Sequence, residues 1–275
     1  MTRRKEMKDV NPLYGALGGD MVGSIYEWHN HKSKEFELVH NHCKFTDDSI
    51  MTLATAQAIL DGAYDYAGQY HVWGNNYPTA GYGGSFRRWL ATPVEQIAPY
   101  NSWGNGSAMR ISPVGFAFDT EAEVLFQAEK SAAVTHNHPE GIKGAQVTAL
   151  TILLARQGFD QNAIKTRIEG DFGYNLSKPL DDIRPTYRFD VSCQGTVPVA
   201  IRAFLEATSY EDAIRNAVSV GGDTDTIGAI TGGIAIAFFK EMPDTLVAEI
   251  ERRLLSDMQE VCERFATFYQ SKGTN

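Results

Sequence analysis

Asn11-Pro-Leu-Tyr-Gly15-Ala-Leu-Gly-Gly19-Asp-Met-Val-Gly23-Ser-Ile-Tyr-Glu27 reads as a helix that has given up propensity for close contact. Asn11 has the chemistry of a cap and Pro12 suits the first helical position. Gly15, Gly19 and Gly23 then recur every four residues on one face. Each costs about 1 kcal/mol relative to alanine. The usual compensation is backbone approaching backbone, so this helix is expected at the centre of the fold. Asp20 and Glu27, seven residues apart, would share one of its faces.

Downstream, Phe45-Thr-Asp-Asp-Ser49 opens a second helix, with Thr46 as cap and Ile50, Leu53, Ala54, Ile59 and Leu60 at helical spacing. Between Asp61 and Pro113 the chain is rich in Gly, Asn, Tyr and Trp, and Gly81–Ser85 and Trp103–Ser107 read as ordered loops. Helical patterns return at Glu121–Ala133 and Gly141–Arg156. After a loop-rich stretch they continue at Pro198–Ala207, Tyr210–Val218, Asp223–Phe239 and a pair within Asp244–Ser271. Thr186-Tyr-Arg-Phe-Asp-Val191 is the best strand candidate. With no βαβ alternation and no repeat, the expected fold is all-α: a helical bundle forming a single domain over 1–275, with its core at about 11–272.

Composition narrows the function. The 275 residues are 43% hydrophobic and carry a formal charge of −9, with no basic patch, which argues against a protein that grips nucleic-acid backbone. Cys43, Cys193 and Cys262 lie far apart without CxxC spacing, so neither a disulfide framework nor a zinc knuckle is implied and a reducing cytoplasm is expected. The basic start, residues 1–9, lacks the apolar run of a signal peptide. Ile227–Phe239, 13 residues interrupted by glycines, is too short for a bilayer and reads as a buried helix. No membrane partner is expected.

The strongest chemical signal is a pair of carboxylate clusters at helix entrances, Thr46-Asp47-Asp48 and Gly221-Gly-Asp-Thr-Asp-Thr226. Alone, either is compatible with ordinary capping, which the helix dipole favours by about 0.3–1 kcal/mol per acid. Together, each ahead of an apolar helix, they bring four carboxylates against the core, where repulsion calls for cations. Ligand oxygens from Asp and Thr suit Mg²⁺ or Mn²⁺ rather than zinc, and two ions about 4 Å apart are a standard arrangement. Glu27 would add one more oxygen. The rival signal is three HxH pairs, His29/His31, His40/His42 and His136/His138, outside any convincing strand and without HExxH, so a zinc hydrolase is the weaker reading. Trp103-Gly-Asn-Gly-Ser-Ala-Met109 would offer backbone N–H groups to a pyrophosphate, or form a plain tight turn.

In their order along the chain these motifs resemble the ADP-ribosylglycohydrolase family. Gly18–Glu27 is similar to its opening helix. Phe45-Thr-Asp-Asp-Ser49 and Gly221-Gly-Asp-Thr-Asp-Thr226 resemble its metal motifs. Asn101-Ser-Trp-Gly-Asn-Gly-Ser-Ala-Met-Arg110 resembles its diphosphate loop, and Ala133-Val-Thr-His-Asn137 the segment with its substrate-contacting histidine. The resemblance implies a binuclear Mg²⁺ or Mn²⁺ centre at the base of an ADP-ribose cleft and hydrolysis of the C1″ bond to an acceptor. It implies Thr46, Asp47, Asp48, Asp223, Asp225 and Thr226 as metal ligands, and Ser102, Gly104, Asn105, Gly106 and His136 as substrate contacts. Glu27 or Asp48 would be the acid–base carboxylate. Gly81-Tyr-Gly-Gly-Ser-Phe-Arg-Arg88 departs from the pattern, placing basic residues where the family carries an acid. A non-catalytic ADP-ribose-binding member of the fold is the alternative.

Overall fold

The protein, described here over residues 10–272 by a computed structural model, contains fifteen α-helices and no strand among those residues. The basic start at 1–9 lies outside them. Two helices sit at the centre. Helix α1 (Tyr14–Gly23) is buried along its whole length, and α13 (Thr224–Phe239) is buried from Thr224 to Ala237. They run in backbone contact. A Cβ on Gly19 would lie 1.9 Å from the carbonyl oxygen of Gly228, and one on Gly15 would lie 2.5 Å from that of Gly232. Gly23 is equally tight, 2.2 Å from the carbonyl oxygen of Thr224. No side chain fits there, so the helix propensity lost by these glycines is offset by dispersion contact between backbones.

Around this pair stand α2 (Asp47–Leu60), α8 (Pro139–Gln157), α11 (Cys193–Leu205) and α12 (Tyr210–Val220), each packed on α1, α13 or both. Tyr210 ties α12 to the centre, its hydroxyl donating to the carbonyl of Gly15 at 2.7 Å. Helices α7 (Glu121–Ala133) and α9 (Gln161–Phe172) cover α8, and α14 (Asp244–Arg253) and α15 (Ser256–Lys272) close the far side against α1 and α2. One contiguous hydrophobic core joins them all. No described helix is long and apolar enough to cross a membrane.

Several expectations from sequence need correction. Helix α1 ends at Gly23, so Glu27 lies in the turn that follows and does not share a helical face with Asp20. The stretch between Asp61 and Pro113 holds three α-helices, α3 (Tyr66–Asn76), α4 (Gly84–Leu90) and α5 (Gly106–Met109), and the start of α6 (Ser112–Ala117). Their apolar faces are built from aromatic and small residues such as Tyr70, Trp73, Phe86 and Trp89, which blur the helical period. The 186–191 segment is no strand. The one bridge nearby, Gly104 with Ser192, lies just beyond it, where the 103–105 loop runs alongside 191–193. Helix α11 begins five residues before Pro198, capped by the Ser192 hydroxyl, which accepts from Gly195 N.

The glycine contact gives an opposed pair of expectations for one substitution. Gly19→Ala should lower unfolding free energy by about 3 kcal/mol, the upper range for overpacking. Gly170→Ala in α9, where a Cβ meets nothing within 4 Å, should raise it by about 0.5–1 kcal/mol. Urea denaturation of both variants checks the signs.

Candidate functional site

The contact of α1 with α13 brings the end of one helix to the mouth of the other. Thr224 fastens them, its hydroxyl donating to the Gly23 carbonyl at 2.8 Å. Ahead of α13, Gly221 and Gly222 both take positive φ (70° and 78°), a turn that side chains resist. That turn aims Asp223 and Asp225 inward. Lys32 holds it from outside, its ammonium donating to the carbonyls of Tyr187 and Val220, and Asn30 Oδ1 accepts from Gly222 N at 3.2 Å.

The mouth of α2 faces the same point. Asp20, fully buried in α1, accepts from Thr46 N (2.9 Å), Thr46 Oγ1 (2.7 Å), Ser49 N (3.1 Å) and the Ser49 hydroxyl. Its oxygens are fully engaged in anchoring α2 to α1. Thr46 has one hydroxyl proton, and the shorter of its two acidic contacts is with Asp20; Asp48 Oδ2 lies 3.1 Å from the same oxygen. Asp48 Oδ1 is buried with no partner at all among the described residues. A buried carboxylate short of donors is costly unless a cation or a proton meets it.

Two groups of carboxylate oxygens lie within 4.8 Å of one another: Asp20, Asp48 and Asp225, and Glu27, Asp223 and Asp225. Asp225 belongs to both. Burial and the neighbouring charges push Asp20, Glu27, Asp47, Asp48 and Asp223 toward the protonated form. Asp20 and Glu27 are each raised to about 7, by burial first and by Asp225 next. Asp47, Asp48 and Asp223 are raised well above the usual carboxylate range for the same two reasons. The donor-poor Asp48, the oxygen-only set and the shared Asp225 fit hard divalent cations. Among the described residues no histidine joins a group of three or more potential ligands. His138 instead caps α8, its Nδ1 accepting from Glu140 N, and His40 and His42 stack on each other.

These groups form the base of a cavity of about 510 Å³. Glu27, Asp47, Asp48, Asp223, Asp225 and Thr226 line it, as do Ser102, Gly104, Asn105, Gly106 and His136. Thr46 lies behind them. Asp47 is displaced from the two carboxylate groups and faces the Gly81 turn, where a Cβ would stand 3.0 Å from its Oδ1. The side chain of Asn105 turns away from the cavity mouth. Its amide donates to Asp223 Oδ2 at 2.7 Å and to Thr196 Oγ1 at 3.1 Å, while its backbone N donates to the Val191 carbonyl. Gly104 N is taken by Ser102 Oγ, and Ala108 N and Met109 N by the Asn105 carbonyl, which leaves Gly106 N and Ser107 N as the α5 donors without a backbone acceptor.

The reading from sequence missed three parts of this site. Asp20 was visible only as an acid inside an apolar glycine-rich helix, and its partners are set by tertiary contact. Arg110, 1% exposed, forms part of the cavity wall. Trp28 and Phe189 stack at the rim with ring centroids 5.2 Å apart, both exposed.

Comparisons with known proteins point to one family. The sequence model of a family described as ADP-ribosylglycohydrolase matches residues 10–275. ADP-ribosylhydrolase ARH3 of Homo sapiens is 29% identical, covering 82% of this chain and 84% of its own. Its Xenopus tropicalis counterpart is 24% identical over 94% of each chain. A putative ADP-ribosyl glycohydrolase, L543, of Acanthamoeba polyphaga mimivirus is 26% identical over 87% of this chain and 89% of its own. Among solved structures, one titled ADP-ribosylglycohydrolase-related protein complex matches with a TM-score of 0.77 over 96% of this chain and 98% of that one; at 23% identity the match speaks for the fold.

The raised carboxylates dictate how stability should follow pH. Their folded-state affinity for protons exceeds that of the unfolded chain, whose values lie near 4. Ion-free protein is therefore destabilised as pH rises through about 7. Buried His136, held well below its ordinary 6.5, acts oppositely and only below that pH. Between pH 6.5 and 8.5 the melting temperature of EDTA-treated protein should fall, and saturating Mg²⁺ or Mn²⁺ should cancel the fall. Differential scanning fluorimetry across that range, with and without the ion, is the check.

Proposed function

The chain belongs to the ADP-ribosylglycohydrolase family, and on that footing we propose that it hydrolyses the C1″ bond joining ADP-ribose to an acceptor, using two Mg²⁺ or Mn²⁺ ions. The observation that carries the reading is the carboxylate knot of Glu27, Asp48, Asp223 and Asp225 at the base of the cavity, with Asp48 short of donors. In this reading Asp47, Asp48, Asp223 and Asp225 hold the ions, with the hydroxyls of Thr46 and Thr226. Thr46 gives its proton to Asp20, accepts from Asp48 N and keeps one lone pair for a cation, and Thr226 Oγ1 has no closer partner than the Met109 sulfur at 3.9 Å. Divalent ions held by these residues would supply Lewis acidity to the ribose and to the attacking water.

Protein groups account for the remainder of the reaction. The Ser102–Gly106 loop and the start of α5 receive the diphosphate, and His136 contacts the substrate. C1″ cleavage passes through an oxocarbenium-like state, in which water adds to C1″ as the bond to the acceptor breaks. Water loses a proton and the acceptor gains one. In this reading Glu27 serves that exchange, supported by its being half-buried in the turn after α1, beside Asp223 and Asp225. Asp48 is buried and held in the helix mouth, which suits ion binding better. The three cysteines are buried and unpaired, in keeping with a reducing compartment such as the cytoplasm.

Release of ADP-ribose should be measured from ADP-ribosyl-arginine, an ADP-ribosyl-serine peptide, O-acetyl-ADP-ribose and ADP-ribosylated DNA, with EDTA and with added Mg²⁺ or Mn²⁺. The expected result is metal-dependent release from at least one. Glu27→Gln should lower kcat by about 10²- to 10⁴-fold. The double variant Asp47→Ala, Asp225→Ala should retain its helical circular dichroism and lose turnover. Full activity in that double variant would sink the reading, and ADP-ribose binding without release from any substrate would point to a binding protein.

A further inference from the structure

One wall of the cavity carries a buried cation that the carboxylates do not use. The guanidinium of Arg110 lies over the ring of Tyr70, 4.1 Å from its centroid. Its Nη2 donates to the Ser131 carbonyl and to Thr135 Oγ1, each at 2.9 Å. A guanidinium stays protonated and has no lone pair to offer, so Thr135 is the acceptor in that contact. Thr135 is fully buried, and its hydroxyl has one other partner, His136 Nδ1, at 2.7 Å. Sending the hydroxyl proton anywhere but Nδ1 would leave it unbonded in the interior, at about 1–3 kcal/mol. Thr135 therefore donates, Nδ1 accepts, and the ring proton belongs on Nε2. Nε2 faces the glycine loop: a Cβ on Gly106 would stand 3.1 Å from it, and one on Gly104 3.6 Å.

We propose that Arg110 and Thr135 are positioning residues that lock His136 as the neutral Nε2–H tautomer, a fixed hydrogen-bond donor aimed at an oxygen of ADP-ribose beside Gly104 and Gly106. The ligand half of this rests on the function proposed above; the tautomer does not. Burial, and then the charge of Arg110, hold His136 well below its ordinary pKa, which disfavours an imidazolium. The opposite tautomer would turn a lone pair toward phosphate or ribose oxygens and repel them. Thr135 also anchors the loop that His136 faces. Its carbonyl accepts from Tyr100 N at 3.3 Å and from Ser102 N at 3.5 Å, and Asn137 Oδ1 accepts from Asn101 N at 2.7 Å. Donor and loop are held as one unit.

The test is a long-range ¹H–¹⁵N correlation spectrum of the full chain labelled at histidine, with the signal assigned by loss in His136→Gln. The expected signature at about pH 7 is a neutral ring protonated at Nε2. A ring protonated at Nδ1, or an imidazolium, would overturn the proposal. Thr135→Val keeps the shape and removes the donor. It should turn the His136 signature into a mixture of tautomers and weaken ADP-ribose binding about five- to tenfold by calorimetry. Thr135→Ser should restore both. An unchanged signature and Kd in Thr135→Val would overturn the relay even where the wild-type tautomer is as expected. Wild-type protein that binds no ADP-ribose would defeat the functional reading, and the spectrum would still decide the tautomer.

Discussion

Everything in this fold hangs on two helices that touch without side chains between them. Backbone contact at Gly15, Gly19 and Gly23 fixes how far α1 slides along α13, because each glycine meets a carbonyl at a single register. That register puts Asp20 against the mouth of α2 and the Glu27 turn beside the mouth of α13. A site that must place carboxylates to within a fraction of an ångström gains from such an interface, since backbones have no rotamers to relax into.

The same geometry sets an electrostatic conflict and part of its relief. Helices α2 and α13 both point their N-termini at the carboxylates, and the positive ends of their dipoles favour the charge gathered there. The dipoles are too weak to offset the acids gathered there, and Glu27, Asp48 and Asp223 are pushed upward by burial and by Asp225. What remains is a standing affinity for positive charge that the protein itself leaves unmet. Asp20 is the exception among the acids: four donors satisfy it, and it serves the architecture rather than the cavity.

Much of this was legible in the chain. Glycines spaced by four announced the central helix, and acids ahead of apolar runs announced the two mouths, because both signals are local. The exact end of α1 was not legible, since the apolar Ile25 and Tyr26 continue a helical pattern that the Gly23–Thr224 contact interrupts. Asn105 lines the cavity, and its side chain also serves Asp223, a partner 118 residues away that no spacing announces. The aromatic helices between Asp61 and Pro113 were hidden for another reason: large rings bury a face with few residues, and periodicity needs several. The proton position on His136 depends on a three-residue chain of donors, which only coordinates reveal.

The amide of Asn105 has one more implication. Its backbone belongs to the loop beside the cavity mouth, and its side chain grips a carboxylate at the base. Any ligand that shifts the loop therefore alters the environment of Asp223, and any ion that draws on Asp223 alters the loop. Thermodynamic reciprocity requires the two effects to be equal in free energy. The Asn105 amide thus ties the loop at one side of the cleft to the acids at its base.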